Sequence, residues 1–425
     1  MIKRCLSITC FLLILLACSG GNTQTVANNA EYTVIQWRGT DRSGIFHETN
    51  LLTSWNDNQP QLLWHFDGLG DGFSSPAIAN SSIFVTGMID GRGYLFVFDL
   101  NGNLLHRVFY ANEWDRSYNG ARGTPTISDG KIYIHTAFGD LICMDLSTFE
   151  IVWQKNMIAD FGGVNIMWGV TESPLVIGEK VILSVGGREH NIVALNKKDG
   201  SLIWSSSGRG DRTSYCSPLF IDNQEVPQIV TTMSNYIIGI EAATGALLWY
   251  HPYANFRNIH PNTPVYDGRD MILITNGYDR GSVMLRLTNG GRSVEKVWEN
   301  DDFKSVHGGV VKVGNYAFIG GDDRDRNLDG RFRYAIHWYT GEVMWRTNEI
   351  SQSTIIADGN GMLYFYTTRG EMVLVRPTPE RFEITGKFNI TLGTDQHWAH
   401  PIIYNGVLYV RRGNTLMAFC ISADR

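Results

Sequence analysis

Tryptophan returns along this chain at intervals of 45–51 residues, at Trp153, Trp204, Trp249, Trp298 and Trp345. Each closes a segment that reads as strand, tight turn, strand. The clearest copies are ALNKKDGSLIW (Ala194 to Trp204), GIEAATGALLW (Gly239 to Trp249) and AIHWYTGEVMW (Ala335 to Trp345). Ten positions before the indole stands a small residue: Ala194, Gly239, Ala335, or Cys143 for Trp153. Four positions before it stands Gly200, Gly245 or Gly341, with Phe149 in the Trp153 copy. The glycine permits the positive φ that a tight hairpin demands. The small residue leaves room for an indole, whose large buried area can pin one unit to the next. A period in the forties with turn chemistry in every unit defines a repeat architecture.

A second marker precedes most units. Ser75-Pro76, Thr124-Pro125, Ser173-Pro174, Ser217-Pro218, Thr263-Pro264 and His400-Pro401 each open an apolar run of two short strands around a polar turn. Proline suits a strand start, where no ladder bond is lost. With GGVVKVG from Gly308 and STIIADG from Ser353, eight opening strands are counted. Each unit then holds four strands, and four-stranded units around a channel make an all-β, eight-bladed β-propeller with antiparallel blades. The last unit, from Pro401 to Ile421, has three strands, whereas Trp64 in PQLLWHF precedes the first unit. The expectation is that this N-terminal strand completes blade eight and closes the ring, removing exposed sheet edges. An open solenoid would leave the surplus and the deficit unexplained.

The N-terminus bears on location. Met1-Ile2-Lys3-Arg4 is basic, Leu6 to Ala17 is mostly apolar and short for a membrane span, and the run ends Leu15-Leu16-Ala17-Cys18. This resembles the lipobox of bacterial lipoproteins. The resemblance implies a signal peptide over 1–17 and lipidation of Cys18, holding the chain at the cell envelope, in the outer membrane, by a lipid anchor alone; the composition of 18–32 reads as a flexible tether, and the repeats leave 33–425 for the propeller. Net charge is −6, with no basic block, so no nucleic-acid partner is expected. Beyond the leader only Cys143, Cys216 and Cys420 remain, an odd number that argues against a disulfide framework.

The Ala-x-x-x-x-Thr/Asp-Gly-x-x-x-Trp phrase resembles the repeat of quinoprotein-like propellers. That superfamily includes pyrroloquinoline quinone (PQQ)-dependent alcohol dehydrogenases and the lipoprotein of the outer-membrane β-barrel assembly machinery. The opening QWRGTDRSGIF (Gln36 to Phe46) is similar to the lead-in of secreted members of the group. The dehydrogenases typically carry adjacent cysteines and hold calcium through Glu, Asn and Asp. This chain has no Cys-Cys pair, and Glu172 and Asn262 are the only analogues of the calcium ligands. No cofactor is therefore expected, PQQ with calcium being the alternative. Many functions share one propeller scaffold. The leading expectation is a monomeric binding or scaffolding module for an envelope protein or an extracellular small molecule. Its rivals are a PQQ-dependent oxidoreductase and an outer-membrane assembly factor.

Residues just before each opening strand should ring one mouth of the channel. Collected across the repeat they are Arg122, Trp168, Glu172, Tyr215, Cys216, His260, Asn262, His307, Gln352, His397, Trp398 and His400. Such a mixture suits a ligand funnel. Polar residues in a wet channel serve equally well to bind water or neighbouring strands. In blade six, Asp325, Asn327, Asp329 and Gly330 match the start of a calcium loop, but its twelfth position is Ile336. A solvated acidic turn balanced by Arg324, Arg326 and Arg331 explains the same residues.

Overall fold

A computed structural model describes residues 35–56, 59–322 and 331–424. The leader, Cys18 and the tether lie outside the described residues, as do Asp325, Asn327 and Asp329. The described chain forms eight sheets in a ring. Blade one contains Ala77–Ala79, Ser82–Ile89, Arg92–Asp99 and Leu104–Asn112. The inner strands of the following blades are Thr126–Ser128, Leu175–Ile177, Leu219–Ile221, Val265–Tyr266, Val310–Val313, Ser353–Asp358 and Ile402–Tyr404, each at its sequence marker. Gln61–Phe66 pairs antiparallel with Thr415–Cys420, and Trp64 stands opposite Ala418. The first outer strand thus completes the last blade, as the count of strands requires. Among the described residues no helix is long and apolar enough to cross a membrane.

The repeat phrase now has a physical reading. Trp204 lies opposite Ala194, Trp249 opposite Gly239 and Trp345 opposite Ala335. The ladder slips by one residue beside each of these pairs, a bulge that twists the outer strand. The indole then crosses to the next blade. A Cβ on Gly245 would sit 2.5 Å from the Trp204 ring, and one on Gly200 would sit 2.7 Å from Trp153. The turn glycine therefore supplies both its positive φ (80° at Gly245) and the space for its neighbour's indole. The indole N–H of Trp153 donates to the carbonyl of Lys197 (3.1 Å), that of Trp204 to Ala242 (3.3 Å) and that of Trp298 to Trp338 (3.0 Å). Trp249 departs from the pattern and bonds Gln228 of its own blade at 2.7 Å. Phe149, where the glycine is missing, adopts a φ of 59° and meets His106 with ring centroids 4.6 Å apart. One altered pair thus replaces both members of the indole–glycine contact.

The Ser/Thr-Pro marker also joins blades. The backbone N–H of Ser75 donates to the Thr124 hydroxyl (3.1 Å), that of Thr124 to Ser173 (3.1 Å) and that of Ser173 to Ser217 (3.0 Å). Each marker hydroxyl satisfies an inner-rim donor of the preceding blade, where proline breaks the regular ladder.

The channel is not open. Residues 35–46 enter it and turn back, with Gly39 N–H bonded to Gln36 and Gly44 N–H bonded to Arg38. Ile45–Phe46 then pairs in parallel with Ser353–Asp358, giving blade seven a fifth strand where four were expected. Arg38 donates to the carbonyls of Val310 (2.6 Å) and Ile355 (3.3 Å) and to Nδ1 of His400 (3.1 Å). Arg42 donates to Pro218 (2.8 Å), Pro174 (2.6 Å) and Ser173 (3.3 Å), and its Nε donates to Gln36 (3.0 Å). Both guanidinium groups are buried, and together they tie blades three, four, six, seven and eight to one hub. Gly44 has no room for a side chain, because a Cβ there would lie 2.3 Å from the Arg38 guanidinium. The lead-in QWRGTDRSGIF is this plug. Ile35 packs into the core cluster that includes Leu146 and Phe149, and Ile45 packs into the one with Val313 and Tyr316. Those are hairpin residues at the far ends of the strands, so both limbs of the plug emerge on the face opposite the strand-opening mouth.

Candidate functional site: the aromatic mouth

The mouth is a bowl of about 200 Å³ floored by Trp37 and walled by Phe73, Tyr118, Trp168, Tyr215, Tyr278 and Trp398, with Arg122, His307 and His400 among them. The rings form a chain around it. Centroids are 5.3 Å apart for His307 and Trp398, 5.1 Å for Trp398 and Tyr118, 6.3 Å for Tyr118 and Trp168, and 6.0 Å for Trp168 and Tyr215. The Tyr215 oxygen accepts the Trp168 backbone N–H at 3.1 Å, which fixes that corner. The Trp37 ring lies edge-on to His400 at 4.6 Å, and its N–H donates to the Thr263 hydroxyl at 3.2 Å. The plug therefore builds the floor.

Arg122 is the charged side chain of the lining. Its guanidinium lies 5.9 Å from the Phe73 ring centroid and 5.7 Å from that of Trp114. Nη2 donates to the carbonyls of Ser117 and Tyr118. Nε is buried and has no partner among the described residues. Burial pulls the Arg122 pKa down to about 10, opposed by the nearby Glu113 carboxyl, so it is a cation at neutral pH. Burial raises the Tyr215 hydroxyl to about 12.

Six of the expected residues converge here: Arg122, Trp168, Tyr215, His307, Trp398 and His400. His400 has both ring nitrogens engaged, Nδ1 by Arg38 and Nε2 by the carbonyl of His307 at 2.8 Å. Burial, with Arg38 adding repulsion, holds it well below the ordinary histidine range, so it is neutral. The other six lie in the walls rather than the lining. Glu172 accepts the Ser184 N–H on both oxygens (3.0 and 3.1 Å), and burial raises its pKa to about 8. Asn262 donates to Thr275 (3.2 Å) and Ser305 (2.6 Å) and accepts from Gly309 N–H (3.0 Å). His260 sits between Asn276 (2.7 Å) and the Ser234 carbonyl (3.1 Å), and burial depresses its pKa to about 4. His397 pairs with the Tyr366 hydroxyl at 2.7 Å and is likewise depressed to about 4 by burial. Cys216 is buried with its thiol against the Asn262 carbonyl, and Gln352 is buried too. Neighbouring residues of one irregular segment point to opposite sides, so Trp168 faces the mouth and Glu172 the wall.

The residues that sequence reasoning left out are Trp37, Phe73, Tyr118 and Tyr278. Only Trp37 carried a signal, in the QWRG phrase. A calcium-held quinone does not fit this mouth. Its two candidate ligands, Glu172 and Asn262, are spent on backbone groups of the walls, and among the described residues no group of three or more His, Cys, Asp or Glu could hold a metal. Flat aromatic walls with one arginine and, among the described residues, no carboxylate in the lining suit recognition of an apolar group beside an anion.

Fold and site together define a quinoprotein-type propeller with a plugged channel and an aromatic mouth. The chain belongs to the PQQ_2 family, described as outer membrane protein assembly factor BamB, whose model matches residues 91–347, more than half of the chain. It is 28% identical over 161 residues to the outer membrane protein assembly factor BamB of Shewanella oneidensis. That match takes in 37% of this chain and spans 39% of that relative's length. The crystal structure of BamB from Moraxella catarrhalis superposes with a TM-score of 0.61 at 15% identity, over 85% of this chain and 100% of that one. Quinohemoprotein alcohol dehydrogenase from Comamonas testosteroni does so with a TM-score of 0.66 at 13% identity, over 93% of this chain and 81% of that one. At such identities the likeness is one of fold.

Proposed function

We propose that this chain is a binding propeller of the cell envelope, a scaffold in the manner of outer membrane assembly factors, and that it engages its partner through the aromatic mouth. The observation that carries this reading is the plug. With Arg38 and Arg42 locked to five blades, the channel cannot conduct or thread a ligand. What remains is a shallow bowl suited to docking. The family match supports a role in envelope protein assembly, and the lipobox-like Leu15-Leu16-Ala17-Cys18 supports attachment to a membrane. The described chain enters the channel from the face opposite the mouth, which leaves the mouth clear of the entering segment.

In-cell photocrosslinking tests the reading. A photoreactive residue at Met167, beside the mouth, is expected to give one defined adduct with an envelope protein. The same residue at Leu202, on an outer strand, is expected to give none. Adducts at the blade edge with none at the mouth would sink the proposal.

A further inference from the structure

The bowl has an apolar collar. Met167, next to Trp168, is 66% exposed, and Phe256, which contacts Tyr278 at 6.5 Å, is 60% exposed. Tyr118, whose ring centroid lies 6.3 Å from that of Trp168, is 40% exposed. A solvent-exposed Met and Phe on inter-blade connections contribute nothing to the core. Contiguous exposed apolar surface around a pocket marks a protein-binding site more than a small-molecule one. A bowl of about 200 Å³ holds one large side chain, the form in which interface anchors are received. Aromatic residues with an arginine are also the composition enriched at interface centres.

Charge narrows the occupant. Among the described residues the lining contains one arginine, no lysine and no carboxylate. Arg122 lines the bowl and is a cation at neutral pH, so a carboxylate brought into the bowl meets a complementary charge. Aromatic cages for quaternary or methylated ammonium groups need a site without a fixed positive charge, so a cationic ligand is disfavoured. The closed floor stops a chain from passing through, so the partner presents the group from a surface.

On the reading that the mouth is the docking site, we infer that its occupant is a protein segment that inserts one bulky apolar side chain against Trp37, Trp168 and Trp398 and sets an adjacent Asp or Glu carboxylate on Arg122. Met167 and Phe256 cover the flanks of that segment.

A random peptide library, displayed with internal rather than terminal variable positions, is selected on the full chain. The expected consensus is a bulky apolar residue beside Asp or Glu. A selected peptide synthesised with blocked ends should bind Arg122→Gln at least about tenfold more weakly, and its Asp→Asn or Glu→Gln form should show the same loss on the unaltered chain. Met167→Ser should weaken it several-fold, with the melting temperature of both variants unchanged. A basic consensus, no consensus, or affinity indifferent to Arg122→Gln would each overturn the inference. So would selection only by a library with free C-termini, or binding of acidic oligosaccharides through Arg122 where peptides fail. If mouth crosslinks persist while the acidic consensus fails, the chemistry assigned here is wrong and the docking site stands. If the mouth crosslinks are also absent, both fall.

Discussion

Replacing Arg42 by alanine tests whether the plug holds the wheel together. The side chain is 1% exposed and gives hydrogen bonds to Gln36, Ser173, Pro174 and Pro218. Its removal strands three buried carbonyl oxygens and the Gln36 amide oxygen. Each stranded acceptor costs about 1–3 kcal/mol, and removing the guanidinium refunds part of its own desolvation, so a net loss of about 3–5 kcal/mol follows. For a propeller of this size, with unfolding entropy near ~2 cal/mol/K per residue, that is a fall in melting temperature of roughly 4–6 °C. Near-ultraviolet circular dichroism, which reads the packed indoles, is the assay. Arg286→Ala is the control. Its exposed pair with Glu295 (3.0 Å) contributes under about 1 kcal/mol, or roughly 1 °C on the same scale. If Arg42→Ala melts with the control, the plug is a passenger in the channel and the hub reasoning is wrong.

Three further outcomes follow from the same structure. Gly245→Ala and Gly268→Ala have nearly equal positive φ, 80° and 79°, but only the first meets an indole. Urea unfolding should show a loss of about 2–4 kcal/mol at Gly245 and about 1 kcal/mol at Gly268, and equal losses would mean that the Trp204 contact is immaterial. Glu172 has its folded pKa raised to about 8 from 4.5, so the folded state keeps a proton that the unfolded chain releases. That contribution is complete below about pH 4.5 and is lost as pH climbs through 8. Urea midpoints measured from pH 5 to pH 8 should therefore fall less steeply in Glu172→Gln than in the unaltered chain, and parallel slopes would refute the assignment. Finally, the thiols of Cys143, Cys216 and Cys420 are buried, so maleimide should label none of them until denaturant is added; rapid native labelling at any of the three would contradict the packing.

What could be read from the sequence was whatever the chain says within one blade. Ala194 and Trp204 are ten residues apart across a single hairpin, and their spacing is set by turn geometry alone. The same holds for the glycine at the turn and for the proline that opens each inner strand. Ring closure was legible because strands can be counted, and Trp64 had no unit of its own to belong to. The site was half legible. The repeat phase placed Trp168, Tyr215 and Trp398 near the mouth, but it could not separate them from Glu172, Asn262 and His260. Those segments have no regular two-residue alternation, so only the actual backbone path decides which side each residue faces.

Local turn chemistry, repeated from blade to blade, determined the propeller, because each hairpin needs only its own residues to form, and the indoles of Trp64, Trp153, Trp204 and Trp298 dock against a turn glycine of the next blade. The plug was decided by tertiary structure alone. Arg38 and Arg42 bind main-chain carbonyls 131 to 317 residues away, and every residue type carries a carbonyl, so nothing in the sequence of the partners announces them. The floor of the mouth, and with it the shape of whatever the mouth receives, belongs to that long-range assembly.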